Sequence, residues 1–216
     1  MIGRIVPGLL LMFLVVVAEQ AWGSATKVHR HGLTICSVII EEMSEGKVNL
    51  DKAGEISLAI AEAGNRHFGR VTCGDMWLYM AIAYVESGFR NNIINPQSCL
   101  GMFQVHGPSW ARKFGLRYRD LLNPSTNADA GIRVFKYYLE RYKRLIPALS
   151  AYNSDHPTAA TGYAWAVLGA RKRIKQRYTE LYRVFNDRGP GETVPAFPAA
   201  FPRPSAATSS ASDPGV

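Results

Sequence analysis

Glu86 is the residue in this chain best placed for acid–base chemistry. It falls in the last turn of an apolar stretch that Asp75 opens as a candidate helix N-cap. Met76, Trp77, Met80, Ala83 and Tyr84 follow at helical spacing, and Ser87-Gly88 supplies a stop. The negative end of a helix dipole and an apolar surrounding both disfavour an ionised carboxylate, so both push its pKa upward. A carboxyl kept protonated near neutral pH can serve as a general acid. A glutamate at a helix end is more often simply solvated, so its position alone does not decide the matter.

The segments that follow shift that balance. Glu86-Ser87-Gly88-Phe89 leads into a loop containing Asn95-Pro96, then Gly101-Met102-Phe103-Gln104; Ala151-Tyr152-Asn153 lies further downstream. In this order and at this spacing they resemble the motifs of the soluble lytic transglycosylases, lysozyme-like enzymes that cleave peptidoglycan. That family's pattern is Glu-Ser-Gly-Phe, a loop usually carrying Ser-Pro, then Gly-Leu-Met-Gln and Ala-Tyr-Asn. The resemblance covers roughly residues 57–175 and includes the run Asn123-Pro124, Asn127 and Ala130-Gly131. Two departures stand out. Met102 and Phe103 replace Leu and Met, which keeps the positions apolar but changes the shape of a cleft. Asp155 stands where a Gly commonly follows Ala-Tyr-Asn, adding a second carboxyl.

Ordinary glycosidases use two carboxyls, one to protonate the leaving oxygen and one to attack or to activate water. The motifs here present one, beside the neutral Ser87, Gln104, Tyr152 and Asn153. The resemblance implies a route that needs only one. Glu86 protonates the glycosidic oxygen between N-acetylmuramic acid and N-acetylglucosamine, and its carboxylate then takes the proton of the muramic C6 hydroxyl, which closes on C1 as a 1,6-anhydro end. Carried over on the same terms, Ser87 orients Glu86 or contacts an acetamido group. Gln104 and the backbone of Met102 and Phe103 line sugar subsites. Tyr152 hydrogen-bonds Glu86 or the substrate, Asn153 positions the cleaved sugar, and Tyr163 matches a further cleft tyrosine. No cofactor or metal is implied, and His106 is read as structural or as part of a cleft rim. If Asp155 faces the cleft, a hydrolytic muramidase on the same fold is the alternative; if it caps the turn or the next helix, it is not.

The elements that must hold these residues read as helices. Leu33 to Met43 is apolar on one face, and Ile56, Leu58, Ala59, Ala61 and Ala63 form a second candidate after Asp51. Pro108-Ser109-Trp110 starts a short helix that Gly115 ends. Ala128, Ile132, Phe135, Leu139 and Tyr142 make one core-facing stripe of a long helix. Pro147 opens the helix carrying Tyr152 and Asn153. A final helix from Thr161 to Val184 bears Arg171, Lys172, Arg173, Lys175 and Arg177, read as a solvated face. The expected fold is all-α, or α with minor β: a lysozyme-like catalytic domain over residues 57–186, preceded by a helical extension over 24–56. Residues 187–216, rich in Pro, Ala and Ser without periodicity, read as a disordered tail.

Aromatic content of 11% and hydrophobic content of 47% suit a folded core of this length. Twenty-five Lys and Arg against 17 Asp and Glu give +8, which suits a polyanionic partner. Residues 1–23 separate the options: Arg4, an apolar run from Ile5 to Ala18, and small residues around Ala21-Trp22-Gly23 read as a secretory signal. The expectation is therefore a periplasmic or secreted protein, or one anchored in the inner membrane if the signal stays uncleaved. Its partners would be peptidoglycan glycan strands and a cell-envelope assembly such as a secretion system, pilus or flagellum, and not nucleic acid, for which no motif is present. Cys36, Cys73 and Cys99 allow one internal disulfide at most. Cys36 with Cys73 is preferred, and three buried thiols are the alternative.

Overall fold

The computed structural model describes residues 27–69 and 71–187. The signal read at residues 1–23 and the tail read after residue 187 lie outside them. Six helices carry the architecture: α1 (Lys27–Met43), α2 (Leu50–Phe68), α3 (Cys73–Ser87), α4 (Pro124–Tyr142), α5 (Leu145–Ser154) and α6 (Thr161–Asp187). Between α3 and α4 lie a hairpin of β1 (Cys99–Leu100) with β2 (Val105–His106), a π-helical turn at Gly107–Ala111, one helical turn at Arg112–Phe114 that Gly115 ends, and a 3-10 turn at Tyr118–Leu122. The all-α expectation with minor β holds. Among the described residues no helix is long and apolar enough to cross a membrane.

Helix α3 is the axis of the fold. Met80, Ala81, Ile82 and Ala83 are each wholly buried, so this helix is apolar all round and must be enclosed. The other helices enclose it in sequence: α1 packs on α2, α2 on α4, α4 on α5, α5 on α6, and α6 back on α1, while α3 lies against α2 and α6. Aromatic contacts knit the ring to its axis, as where Tyr79 meets the edge of Phe135 at 6.3 Å. The expected boundary at residues 56/57 falls inside α2, whose N-cap Asn49 accepts a hydrogen bond from the Lys52 amide at 3.0 Å.

The start of α3 differs from the sequence reading. Thr72, not Asp75, is the N-cap; Asp75 is the third helical residue and completes a capping box, its Oδ2 accepting from the Thr72 amide at 3.0 Å. Asp75 contributes to the start of the helix either way, but the helix opens three residues earlier. The basic run on α6 also divides. Arg177 is only 5% exposed and makes a two-pronged pair with Glu42 of α1, Nε to Oε2 at 2.8 Å and Nη2 to Oε1 at 2.6 Å. Arg171 donates to the Gly74 carbonyl at 3.2 Å, and Arg173 has buried nitrogens without a partner among the described residues. Lys172 and Lys175 are exposed as expected. Every third or fourth position of an α6 surrounded by α1 and α3 turns inward, which composition alone does not reveal. The three cysteines are free thiols: Cys36 buried, Cys73 exposed and Cys99 between, so neither the preferred bridge nor the all-buried alternative describes them.

Candidate active site

Glu86 reaches its place because α3 ends abruptly. Gly88 takes a left-handed conformation (φ 62°, ψ 40°), and its amide donates to the Tyr84 carbonyl at 2.8 Å. Phe89 follows, also left-handed at φ 64°, a conformation strained for a residue with a Cβ. Its ring is wholly buried and lies 5.8 Å from that of Tyr84, so packing offsets the strain. The chain therefore doubles back one residue after Ser87, leaving Glu86 half-buried at the end of an apolar rod.

Burial raises the Glu86 pKa from 4.5 to about 7, opposed in part by a hydrogen bond from Tyr163. No carboxylate is among the causes. The Tyr163 hydroxyl, from the first turn of α6, donates to Glu86 Oε1 at 2.7 Å. Its ring stacks on that of Tyr152, centroids 6.4 Å apart and planes 10° from parallel. Burial holds the pKa of both phenols well above the usual tyrosine value, with nearby Glu86 adding to it, so both remain donors. Tyr152 does not itself hydrogen-bond Glu86: its hydroxyl donates to the Phe103 carbonyl at 2.7 Å. Of the two tyrosines, the one less expected to touch the acid is the one that does.

The Gly101–Gln104 segment is the tip of the β1–β2 hairpin, in which Cys99 pairs with His106 and Leu100 with Val105. Gly101 is left-handed (φ 73°), and any Cβ there would sit 2.2 Å from the Asn127 amide nitrogen. Gln104 is left-handed too (φ 46°), its side chain folded back so that Nε2 donates to the Gly101 carbonyl at 2.8 Å. Met102 and Phe103 are wholly buried, backbone included, and their amides donate inward to Asn91 and Asn127, so the expected backbone lining of a subsite is not exposed here. Ser87 is buried and donates to the Met102 carbonyl at 2.9 Å. It thus fastens the hairpin to α3 rather than orienting Glu86. Asn153 is exposed at the end of α5.

Asn127 was not assigned a task from sequence, yet it holds this hairpin together. It is wholly buried on α4, accepts from the Phe103 amide at 2.8 Å, and donates to the carbonyls of Leu100 at 2.9 Å and Leu121 at 2.8 Å. One side chain thereby satisfies two backbone groups of a hairpin that has almost no ladder of its own and one of the 3-10 turn at Tyr118–Leu122. Gly131, one turn on, lets Phe103 close onto the helix: a Cβ there would come within 2.4 Å of the Phe103 side chain. The signal available in sequence was an amide and a glycine one helical turn apart on a face otherwise apolar. Cys99, named in the sequence only as a thiol, also lies by the acid. It stands near enough to Glu86 for the carboxylate to raise its pKa, burial being the larger cause.

Asp155 ends α5 in a left-handed conformation (φ 57°), as a cap would, and its carboxylate accepts from the Tyr138 hydroxyl. It lines a cavity that does not include Glu86. His106 bonds Ser109 at 2.8 Å at the partly exposed base of the hairpin. Among the described residues no group of three or more His, Cys, Asp or Glu could hold a metal ion.

The arrangement is one carboxyl whose pKa burial raises, a phenol donating to it, and a hairpin of fixed backbone beside them. No curated protein and no solved structure matches the chain. Residues 74–163, which run from the first turn of α3 to the tyrosine that bonds Glu86, match the family model of the transglycosylase SLT domain. The stretch that builds this site is thus similar to the transglycosylase SLT domain, which supports a peptidoglycan-cleaving activity of the lytic transglycosylase type.

Proposed function

We propose that this protein is an exported lytic transglycosylase that cleaves the β-1,4 bond between N-acetylmuramic acid and N-acetylglucosamine without water, leaving 1,6-anhydromuramic ends. The observation that carries the reading is the solitary Glu86 carboxyl, its pKa lifted by burial to about 7. At neutral pH about half of such groups hold a proton, so the same residue can give a proton and accept one within a cycle. As acid, Glu86 delivers its proton to the glycosidic oxygen as the C1–O bond breaks. The carboxylate left behind takes the proton of the C6 hydroxyl as that oxygen bonds to C1. One proton goes out and one returns, no water is consumed, and Glu86 ends as it began. Tyr163 steadies the anion between the two steps, because its hydrogen bond favours the charged form. Gln104, Tyr152 and Asn153 form the proposed sugar-binding wall, backed by the buried Met102-Phe103 turn that Ser87 and Asn127 hold in position.

A hydrolytic muramidase on the same fold is the second reading, and it needs a second carboxylate to activate water. Asp155 is the residue that could have supplied it, and its engagement by Tyr138 favours the anhydro route. Export is read from the apolar run within residues 1–23, and local remodelling of the wall beside an envelope assembly is the role proposed with it. Mass spectrometry of muropeptides released from purified sacculi decides between the readings. Products one water lighter than hydrolytic ones support the proposal; reducing ends alone overturn it. A protein that binds sacculi equally well as Glu86→Gln and releases nothing would be a wall-binding module.

A further inference from the structure

A concavity of about 290 Å³ opens beyond the far end of α5. Its wall is aromatic: Trp110 meets Tyr137 at 5.2 Å and Tyr138 at 5.9 Å, both edge-on. Two cations stand over this wall. Lys113 Nζ lies 4.0 Å from the centre of the Tyr137 ring and 4.6 Å from that of Trp110, while Arg141 donates to the Tyr137 hydroxyl at 3.3 Å. Both are exposed, and neither is in an ion pair among the described residues. The opposite charge comes from Asp155, held by the Tyr138 hydroxyl and otherwise exposed.

This layout has a chemical complement. Two cations that have aromatic faces but no carboxylate partner suit a carboxylate ligand, and an acid tethered across the pocket suits an ammonium. A group bearing both on one carbon is an amino-acid end, –CH(NH3+)COO−, and an aromatic wall suits the short alkyl chain that carries it. We propose that the pocket formed by Trp110, Lys113, Tyr137, Tyr138, Arg141 and Asp155 binds the free amino-acid end of the diamino residue in a peptidoglycan stem peptide. The inference rests on the peptidoglycan reading above and adds to it which part of the substrate is recognised. Helix α5 links the pocket to the acid's surroundings. Tyr152, which stacks on the Glu86-bonding Tyr163, and Asp155 are three residues apart along α5, roughly 5 Å of helix, and three extended peptide residues reach roughly 10 Å. The proposal therefore places a stem peptide, carried by a muramic acid bound beside Glu86, along the last turn of α5.

The test uses the full chain carrying Glu86→Gln, so that nothing is turned over, and a synthetic stem tripeptide ending in the diamino acid, followed by calorimetry and by the indole N–H signal of Trp110. Binding is expected. Lys113→Ala and Arg141→Ala should each weaken it roughly tenfold, as should converting the ligand's free carboxylate to an amide, and Asp155→Asn should weaken it when the ligand's amine is free but not when it is acetylated. Absence of tripeptide binding, or binding indifferent to all three substitutions, overturns the proposal. If the tripeptide binds as described while wild-type protein releases nothing from sacculi, the pocket stands and the cleavage reading fails. On active protein, Arg141→Ala should raise KM for peptide-bearing strands more than for peptide-free glycan; equal effects on both would also count against a peptide pocket.

Discussion

Replacing Glu86 with glutamine should abolish turnover and, at the same time, make the protein more stable in mild alkali. The carboxyl's pKa lies near 4.5 when unfolded and is raised to about 7 in the fold. Each pH unit between those values is worth about 1.4 kcal/mol, so ionising Glu86 costs the folded state about 3 kcal/mol; its partial exposure makes that an upper figure. The sign follows from the direction of the shift. The folded value is the higher, so the Glu86 contribution is fully present below about pH 4.5, is lost as pH rises towards 7, and is constant above that. Glutamine keeps the shape and an acceptor for Tyr163 but does not ionise. Urea unfolding of both proteins at about pH 4 and about pH 8 isolates the effect, since every other group titrates alike in the two. The variant should match wild type at the acid end and exceed it by up to about 3 kcal/mol at the alkaline end, while its activity falls by roughly 10²–10⁴-fold or more. Stability curves that run parallel across this range would refute the claim that Glu86 is held protonated by burial.

Other expectations follow from the same geometry. Tyr163→Phe removes the hydrogen bond that lowers the Glu86 pKa, so the alkaline limb of the pH–rate profile should move to higher pH and kcat should fall; an unmoved limb would mean Tyr163 does not act on the acid. Asn127→Ala leaves three buried backbone groups unpaired and should cost about 3 kcal/mol or more by denaturant unfolding, a loss that Asn127→Asp should not restore, because two of the three partners need a donor. Glu42→Ala deprives buried Arg177 of a two-pronged partner and should cost about 2 kcal/mol, measured the same way. In native protein, iodoacetamide should modify the exposed Cys73 and spare Cys36, whose thiol burial pushes up to about 12; mass spectrometry of the digests reads this directly.

What the sequence disclosed, and what it withheld, divides along physical lines. Glu86 was legible because a carboxyl at the end of an apolar helix is a local conflict, visible without any tertiary contact. The helices were legible from periodicity, since their buried faces repeat every three to four residues. Partnerships across the chain were not. Nothing local says that Tyr163, rather than Tyr152, reaches the acid, because that depends on how α5 and α6 meet. Asn127 belongs to the same class: its three acceptors and donors lie up to 27 residues away. The left-handed turn at Phe89 escaped notice for the opposite reason, as no rule of local preference would place a phenylalanine there.

The pairing of Glu42 with Arg177 has a mechanical meaning. Helix α6 is 27 residues long, a rod of about 40 Å, with Tyr163 near one tip and Arg177 about 21 Å away along the shaft. The leading helix α1 clamps that shaft, so the tyrosine's aim at the acid is set by a bracket far from the acid itself. A body that pulled α1 aside would tilt the rod and withdraw the phenol from Glu86 without touching the carboxyl or the hairpin beside it.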